Sequence, residues 1–181
     1  MNTSPLTLTT LLATSALTLP VFAQSGSFNT LTYNVAGLPE AFSSAESNRQ
    51  KATEQISCYI NAFDMVNVQE DFNYHAALYD TCNQHPYRSP TTGGMGVGSG
   101  LNSLSYYPFG NLIRQSWNNC NGVDCYTPKG FTFAQVRLAE GVYVDVYNLH
   151  TQAQVEEADL AARRANIQQL LNYIESNSAN N

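Results

Sequence analysis

The segment Asp64-Met65-Val66-Asn67-Val68-Gln69-Glu70 predicts a short β-strand that ends on a carboxylate. Side chains alternate between the two faces of a strand, so Val66, Val68 and Glu70 share a face that is apolar until the carboxylate. Open α/β sheets bind their ligands at the carboxyl ends of the strands. This strand therefore indicates a layered sheet fold and the rim of the sheet where a site would lie.

Polar side chains also end two other predicted strands. The strand Phe28–Val35 carries Asn34 near its end, and the strand Val142–Leu149 leads to Asn148 and His150 on one face. Turns favour asparagine for local reasons, so each residue taken alone has an ordinary structural explanation. Taken together, the three strand ends supply a carboxylate, two amides and an imidazole, which we expect to meet at one rim of the sheet.

The remaining segments predict helices and further strands in a mixed order. Helices are expected over Ser44–Asn61, Phe72–Cys82 and Val155–Glu175. Strands are expected over Leu101–Ser105, Leu112–Trp117 and Phe131–Leu138, with a glycine-rich loop over Gly93–Gly100. Alternating strands and helices followed by hairpins predict an α+β or α/β layered fold with a partly antiparallel sheet.

Two of the predicted helices carry further signals. The first is expected to begin at a capping box, Ser43-Ser44-Ala45-Glu46. The last is expected to bury one apolar face, formed by Val155, Leu160, Ile167, Leu170, Leu171 and Ile174.

Composition and charge restrict the class of protein. The chain has 181 residues, 43% of them hydrophobic, and 8 Lys+Arg against 14 Asp+Glu give a formal net charge of −6. This length suits one domain with a sizeable core, and no segment of the sequence is apolar and long enough to span a membrane. An acidic chain is unsuited to coating DNA or anionic lipid, because both require a positive field.

The N-terminal segment predicts a secretory signal peptide. Met1–Ala23 has no charged side chain, and Val21-Phe22-Ala23 resembles a cleavage site. A buried N-terminal helix is the alternative interpretation. Cleavage after Ala23 would leave residues 24–181 as one secreted, extracellular domain.

The four cysteines fit an oxidising compartment, where they allow three pairings. Cys120 and Cys125 flank a short turn that can bring them within bridging range. Cys58 would then pair with Cys82.

The polar set at the strand ends suits a divalent cation. Mg²⁺ takes hard oxygen ligands, often one or two carboxylates with water and substrate phosphate, so Glu70 is a candidate ligand. Asn34 would serve as a ligand or as a partner that orients water. His150 could protonate a leaving oxygen or donate a hydrogen bond to a phosphoryl oxygen, and Asn148 could offer a second donor.

Five blocks of the sequence follow the order of motifs in a known superfamily. They are Leu31–Pro39, Val66–Phe72, Gly98–Asn102, Pro128–Phe131 and Tyr147–Thr151. In this order they resemble the endonuclease/exonuclease/phosphatase superfamily, and in particular its secreted, sphingomyelinase-like members. The resemblance implies a four-layer α/β/β/α sandwich of α+β class, and metal-dependent hydrolysis of phosphodiesters or phosphomonoesters.

The resemblance also implies roles for single residues. Glu70 is similar to the superfamily's metal-binding glutamate, and Asn34 to the asparagine that supports the metal and phosphate. His150, with Asn148 beside it, resembles the phosphate-contacting histidine, and Lys129 falls in a Lys-Gly block near the substrate. A lipid headgroup fits better than nucleic acid, since the chain has only two Lys and six Arg to follow a nucleic-acid backbone.

The sequence departs from the superfamily pattern after the last predicted helix. Superfamily members continue with a strand carrying Gly-Asp-x-Asn and later with an Asp-His pair whose histidine is the general base, and neither block occurs here. We therefore expect the C-terminal part of the sandwich to be missing and turnover to be weak or absent. Three functions stay open for this chain, which we expect to be monomeric: a Mg²⁺-dependent sphingomyelinase-like phosphodiesterase, a truncated non-catalytic remnant or binding module, and a metal-dependent endonuclease.

Overall fold

Two β-sheets and three helices are formed by residues 25–45, 48–110 and 112–178, which are the residues that this computed structural model describes. The predicted signal peptide lies outside these ranges. The strands are β1 (Thr30–Asn34), β2 (Met65–Gln69), β3 (Tyr87–Arg88), β4 (Asn102–Ser105), β5 (Ile113–Ser116), β6 (Gly130–Ala139) and β7 (Val142–Leu149). The helices are α1 (Arg49–Tyr59), α2 (His75–Asp80) and α3 (Glu157–Asn177).

The first sheet has the strand order β1-β2-β4-β3 and the second has the order β5-β6-β7. Strand β1 runs parallel to β2, and the other pairs are antiparallel. Because β1 and β2 are parallel and in register, the residues that follow Asn34 and Gln69 leave the sheet at the same edge. The sheet topology therefore places the segment after β1 beside Glu70.

The helices cover the outer faces of the two sheets. Val66 and Val68 of β2 pack in one buried apolar cluster with Leu78 of α2 and with Ile60, which follows α1. On the second sheet, the Tyr173 ring of α3 lies 5.1 Å from the Phe131 ring, centroid to centroid. The molecule is thus a four-layer sandwich of α+β class, which confirms the predicted fold.

The layer between the two sheets is polar at the end where Glu70 lies. Asn148 of β7 donates from Nδ2 to the Val68 and Asn102 carbonyl oxygens, at 2.9 and 3.1 Å. Its Oδ1 accepts a 2.6 Å hydrogen bond from Gln69 Nε2. One buried amide therefore ties the ends of β2 and β4 to β7, and this sets where His150 emerges beside Glu70.

The predicted start of the first helix is wrong. Helix α1 begins at Arg49, because the side chain of Asn48 caps it by accepting the Lys51 N–H at 2.9 Å. A helix starting at Ser44 would have to forgo this cap, which is one of the strongest start signals. Glu46 of the predicted capping box lies outside the described residues.

Two other helix predictions need correction. Helix α2 is shorter than Phe72–Cys82, because the Phe72 and Asn73 N–H groups are used in turns, bonding to the Glu70 and Gly37 carbonyls. Helix α3 does not bury its whole predicted apolar face, since Val155 and Leu171 are exposed while Asp159, Ala162, Asn166 and Leu170 are buried. Its polar buried residues are satisfied by neighbouring loops, so periodicity of apolar residues alone gives the wrong face.

Both predicted disulfides are present. Cys58–Cys82 links the end of α1 to the segment after α2, and Cys120–Cys125 closes a short turn between β5 and β6. Among the described residues, no helix combines the length and the hydropathy that crossing a bilayer requires.

Candidate functional site

Of the four residues predicted to meet at the rim, Glu70, Asn34 and His150 do so, while Asn148 lies between the sheets. Asn34 Nδ2 donates to Glu70 Oε1 at 2.9 Å, and His150 Nε2 lies 3.7 Å from the same oxygen. These side chains come from segments that are 36 and 80 residues apart in the chain (70 − 34 and 150 − 70). The rim therefore carries a carboxylate, an amide and an imidazole within direct or water-bridged reach of each other.

Glu70 has an unusual backbone that requires two glycines. Its φ is 58°, in the left-handed region that a residue with a side chain adopts at a cost in energy. The Gly37 N–H donates to the Glu70 carbonyl at 2.9 Å, and a Cβ on Gly37 would stand 2.3 Å from that oxygen. A Cβ on Gly100 would stand 2.6 Å from the Phe72 ring. The strained turn at Glu70, and not simple strand alternation, sets the direction of its carboxylate.

The residue after Glu70 anchors this turn from the interior. Asp71 is buried, and its Oδ2 accepts a 2.7 Å hydrogen bond from Asn102 Nδ2 and lies 2.6 Å from His75 Nδ1. The Asp71 N–H donates to the Gly100 carbonyl at 3.0 Å. Asp71 therefore ties the site turn to β4 and α2.

Asn34 uses both ends of its amide. Its Oδ1 accepts the Ala36 N–H at 2.9 Å, while its Nδ2 faces Glu70. In this orientation the Asn34 Nδ2 group supports the Glu70 carboxylate as a donor. The Asn34 Oδ1 atom faces the backbone of the turn that follows β1.

His150 is mostly buried, with 17% of its side chain exposed. Burial, and then the nearby Lys129 ammonium, lower the pKa of the imidazole, although Glu70 acts in the opposite direction. A neutral imidazole retains one N–H donor. Its Nδ1 is buried and has no hydrogen-bond partner among the described residues, so Nε2, which lies 3.7 Å from Glu70 Oε1, is the ring nitrogen that could contact a bound molecule.

Asn148 requires a correction. Both N–H donors of its side chain are used on backbone carbonyls between the sheets, so neither can reach a substrate oxygen. Strand alternation correctly places Asn148 on the face of His150 but cannot show that β2 and β4 lie opposite. Asn148 is a positioning residue.

Lys129 lies near the rim but is already paired. Its Nζ bonds to Asp124 Oδ2 at 2.8 Å, and that oxygen also accepts the Ala153 N–H at 2.6 Å. A cavity of about 220 Å³ lies beside this pair, and Trp117 and Gln152 also line it. Sequence reasoning missed Asp124, since nothing in the sequence distinguishes it from an ordinary turn residue.

Glu70 is the candidate ligand for a hard cation at this rim. Among the described residues, Glu70 Oε2 accepts no hydrogen bond, and Mg²⁺ commonly binds to one carboxylate with water and substrate phosphate completing its shell. No group of three or more His, Cys, Asp or Glu side chains that could hold a metal occurs within the described ranges. A cation at this rim would therefore depend on Glu70, with Asn34 steadying the carboxylate.

The chain matches no protein-family model. Over 166 residues, which cover 88% of this chain, it is 43% identical to the sphingomyelinase of Mycobacterium tuberculosis strain ATCC 25618 / H37Rv. The chain is a sphingomyelinase homologue. The match covers 33% of the mycobacterial protein, so the chain spans about a third of the length of this relative.

Solved structures share the fold at low sequence identity. Sphingomyelinase C from Streptomyces griseocarneus superposes with a TM-score of 0.70 at 20% identity, over 85% of this chain and 60% of that one. A mutant beta toxin from Staphylococcus aureus with bound magnesium ions gives 0.70 at 21% identity, over 83% and 60%. This homologue therefore has the endonuclease/exonuclease/phosphatase-type fold.

Proposed function

We propose that the rim of Glu70, Asn34 and His150 is the metal and phosphate site of a secreted, Mg²⁺-dependent phosphodiesterase that acts on sphingomyelin-type lipids. The observation that carries the proposal is that Asn34 Nδ2 and His150 Nε2 both approach Glu70 Oε1. Similarity to sphingomyelinases supports the lipid substrate, and the beta toxin with bound magnesium ions supports the cation. The two disulfides support an extracellular location.

Each residue has a distinct role in this proposal. Glu70 binds the cation through its carboxylate, and Asn34 holds that carboxylate in place. Bound Mg²⁺ would polarise the phosphoryl group and offset its charge. Neutral His150 donates a hydrogen bond from its ring to a phosphoryl oxygen, and Asn148 fixes the strand end that carries it. Lys129 would reach the phosphate only by leaving Asp124.

A phosphodiester in a lipid fits the surface better than one in nucleic acid. Several of the arginines are occupied by backbone carbonyls: Arg114 bonds to the Pro90 carbonyl at 2.9 Å, and Arg163 bonds to the Gln152 carbonyl at 2.9 Å. With a net charge of −6, few basic groups remain to track a polyanionic backbone.

A second candidate is a binding module without turnover. His75 is held by Asp71 at 2.6 Å, and His85 lies against Asn83 and the Phe63 carbonyl, so both imidazoles already have partners. The sequence contains no Gly-Asp-x-Asn and no Asp-His pair. In this second role the chain would bind Mg²⁺ at Glu70 without releasing phosphocholine.

Phosphocholine release from sphingomyelin tests the proposal. In a full-length relative, alanine at the position aligned with Glu70 should lower the Mg²⁺-dependent rate more than about a hundredfold, because the loss of a ligand exceeds that of a supporting residue. Alanine at the position aligned with the exposed Glu140 is the control and should leave the rate unchanged. An unchanged rate at saturating Mg²⁺ for the Glu70 position would refute the metal role, and faster cleavage of DNA than of sphingomyelin would refute the substrate.

A further inference from the structure

The most exposed apolar side chains are concentrated at the end of the sandwich that carries Glu70. Six large apolar side chains of the described residues are 67–80% exposed, whereas the next, Leu171, is 52% exposed. Five of the six lie on loops that leave the sheets at the Glu70 end: Phe42, Val97, Val123, Tyr126 and Val155. We call residues 35–45, 89–101, 117–129 and 150–156 the rim loops.

The sheet pairing fixes where two of the rim loops lie. Loop 35–45, which carries Phe42, follows Asn34 at the end of β1. Loop 89–101, which carries Val97, leads into Asn102, the partner of Val68 in the antiparallel pair of β2 and β4. Both loops therefore leave the first sheet at the edge where Glu70 stands.

The other two rim loops border His150. Loop 117–129, which carries Val123 and Tyr126, ends next to Gly130, and the Gly130 carbonyl accepts the His150 N–H at 3.0 Å. Loop 150–156 begins at His150 and carries Val155. Each exposed apolar side chain thus belongs to a loop that starts or ends at the site.

Three of the rim loops pack against one another. The Ala153 N–H of loop 150–156 donates to Asp124 of loop 117–129 at 2.6 Å. A Cβ on Gly96 of loop 89–101 would stand 3.7 Å from the Tyr126 carbonyl of loop 117–129. The Cys120–Cys125 disulfide closes the turn that carries Val123. The apolar tips other than Phe42 are therefore held on neighbouring loops that support one another.

The sixth exposed side chain marks the opposite end of the molecule. Arg49, the first residue of α1, donates to the Val35 carbonyl at 2.6 Å, so α1 begins at the rim. Tyr59 ends this helix of 11 residues, roughly 15 Å farther along its axis. The chain then enters β2 at Met65, which pairs with the first residue of β1. Tyr59 is thus an equally exposed residue away from the site.

The charges of the rim loops restrict the partner. Loop 89–101 contains no charged residue, and Lys129 is the only Lys or Arg of the four loops. Lys129 is paired with Asp124 at 2.8 Å, and the chain as a whole carries −6. An anionic membrane is bound through excess positive charge, which this rim lacks. Separate Val, Phe and Tyr tips suit insertion among zwitterionic headgroups, where amphipathic aromatic rings are favoured.

We propose that the apolar tips of the rim loops dock the protein on a zwitterionic lipid bilayer, so that the Glu70 rim faces the headgroups. The residues are Phe42, Val97, Val123, Tyr126 and Val155. The identity of the lipid rests on the proposed function. The binding of the loops to a bilayer does not.

Vesicle sedimentation tests the surface without any need for turnover. Vesicles of phosphatidylcholine and sphingomyelin are compared with vesicles containing phosphatidylglycerol, and the emission of Trp117, the single tryptophan, provides a second readout. Serine at all five tips should lower the partition coefficient at least about tenfold, since each inserted apolar side chain adds to binding. Tyr59→Ser should leave it within about twofold. Thermal unfolding of both variants checks that they are folded.

Each outcome decides the proposal. Loss of binding in the five-serine variant alone, with weaker binding of native protein to anionic vesicles, supports it. It is overturned by no binding of the native chain, by equal loss in Tyr59→Ser, or by preference for anionic vesicles. If the native protein instead self-associates in the absence of vesicles, and the five-serine variant abolishes that self-association, the surface binds a second copy of the chain and not a bilayer. Vesicle binding is measured without Mg²⁺, so it does not depend on the proposed cation site, and failure of the phosphodiesterase proposal would leave the vesicle result unchanged.

Discussion

The two faces of the first sheet are packed in different ways. On one face, Val66, Val68 and Leu104 pack against helix residues in an apolar cluster. On the other face, Gln69 and Asn148 are joined by a 2.6 Å hydrogen bond between the sheets. Apolar contacts are non-directional and scale with the area buried, whereas hydrogen bonds fix distances and angles. The apolar cluster therefore contributes mainly to stability, and the hydrogen bonds at the polar end of the other face fix the geometry of the site.

The site end depends on this polar layer because its residues come from different strands. Glu70 follows β2 and His150 follows β7, and two hydrogen bonds of Asn148 join these strands. A shift of the second sheet would therefore separate the two side chains. Substitutions on the two faces of the first sheet should therefore have different effects. Those in the apolar cluster should mainly lower stability, and those at Asn148 should mainly disturb the geometry of the site.

The largest expected effect is on the apolar face. Leu104→Ala should lower the free energy of unfolding by about 2–5 kcal/mol, since it leaves a cavity beside fully buried side chains. Urea denaturation measures this value. Leu171→Ala, on an exposed position, is the control and should change the free energy of unfolding by less than about 0.5 kcal/mol. In the folded fraction, the NMR signals of the His150 ring should be unchanged.

A smaller loss of stability with a larger effect on the site is expected on the polar face. Asn148→Leu leaves the Val68 and Asn102 carbonyls and Gln69 Nε2 without this partner, at a cost of about 2–3 kcal/mol. Unlike Leu104→Ala, it should shift the His150 ring signals, because the strand end is no longer held. Unchanged His150 signals in Asn148→Leu would show that the polar layer does not position the site.

The smallest effect is expected at the turn that clamps Glu70. Gly37→Ala should cost about 1–2 kcal/mol and displace Glu70, because the new Cβ would meet the Glu70 carbonyl at 2.3 Å. Gly110→Ala is the matched control, since a Cβ there meets no atom within 4 Å. Urea denaturation and the His150 signals measure both effects. Equal behaviour of the two variants would refute the clamp.

Much of the sheet and the site trio could be predicted from sequence. Alternation and apolar runs give β2 and β7 nearly to the residue, and the strand-end rule brings Glu70 together with Asn34 and His150. These signals are local and periodic, so one sequence suffices to detect them.

The errors came from contacts between distant segments. Periodicity could not show that Asn148 faces carbonyls of the other sheet, or that Asp124 holds Lys129. The start of α1 was wrong because the Asn48 side chain caps it, while nothing in the sequence ranks this cap above Ser43 or Ser44. Local sequence patterns predict which face of a strand or helix a residue occupies. The residue that it contacts on that face depends on the tertiary fold.

Titration of Mg²⁺ into the purified chain by isothermal calorimetry tests the central claim most directly. We predict one site per chain in the native protein, and a loss of affinity of more than about a hundredfold in Glu70→Gln, which removes the charged ligand but keeps its shape. Glu140→Gln, at a side chain that is 90% exposed, should bind as the native protein does. Equal Mg²⁺ binding by native protein and Glu70→Gln would contradict the account.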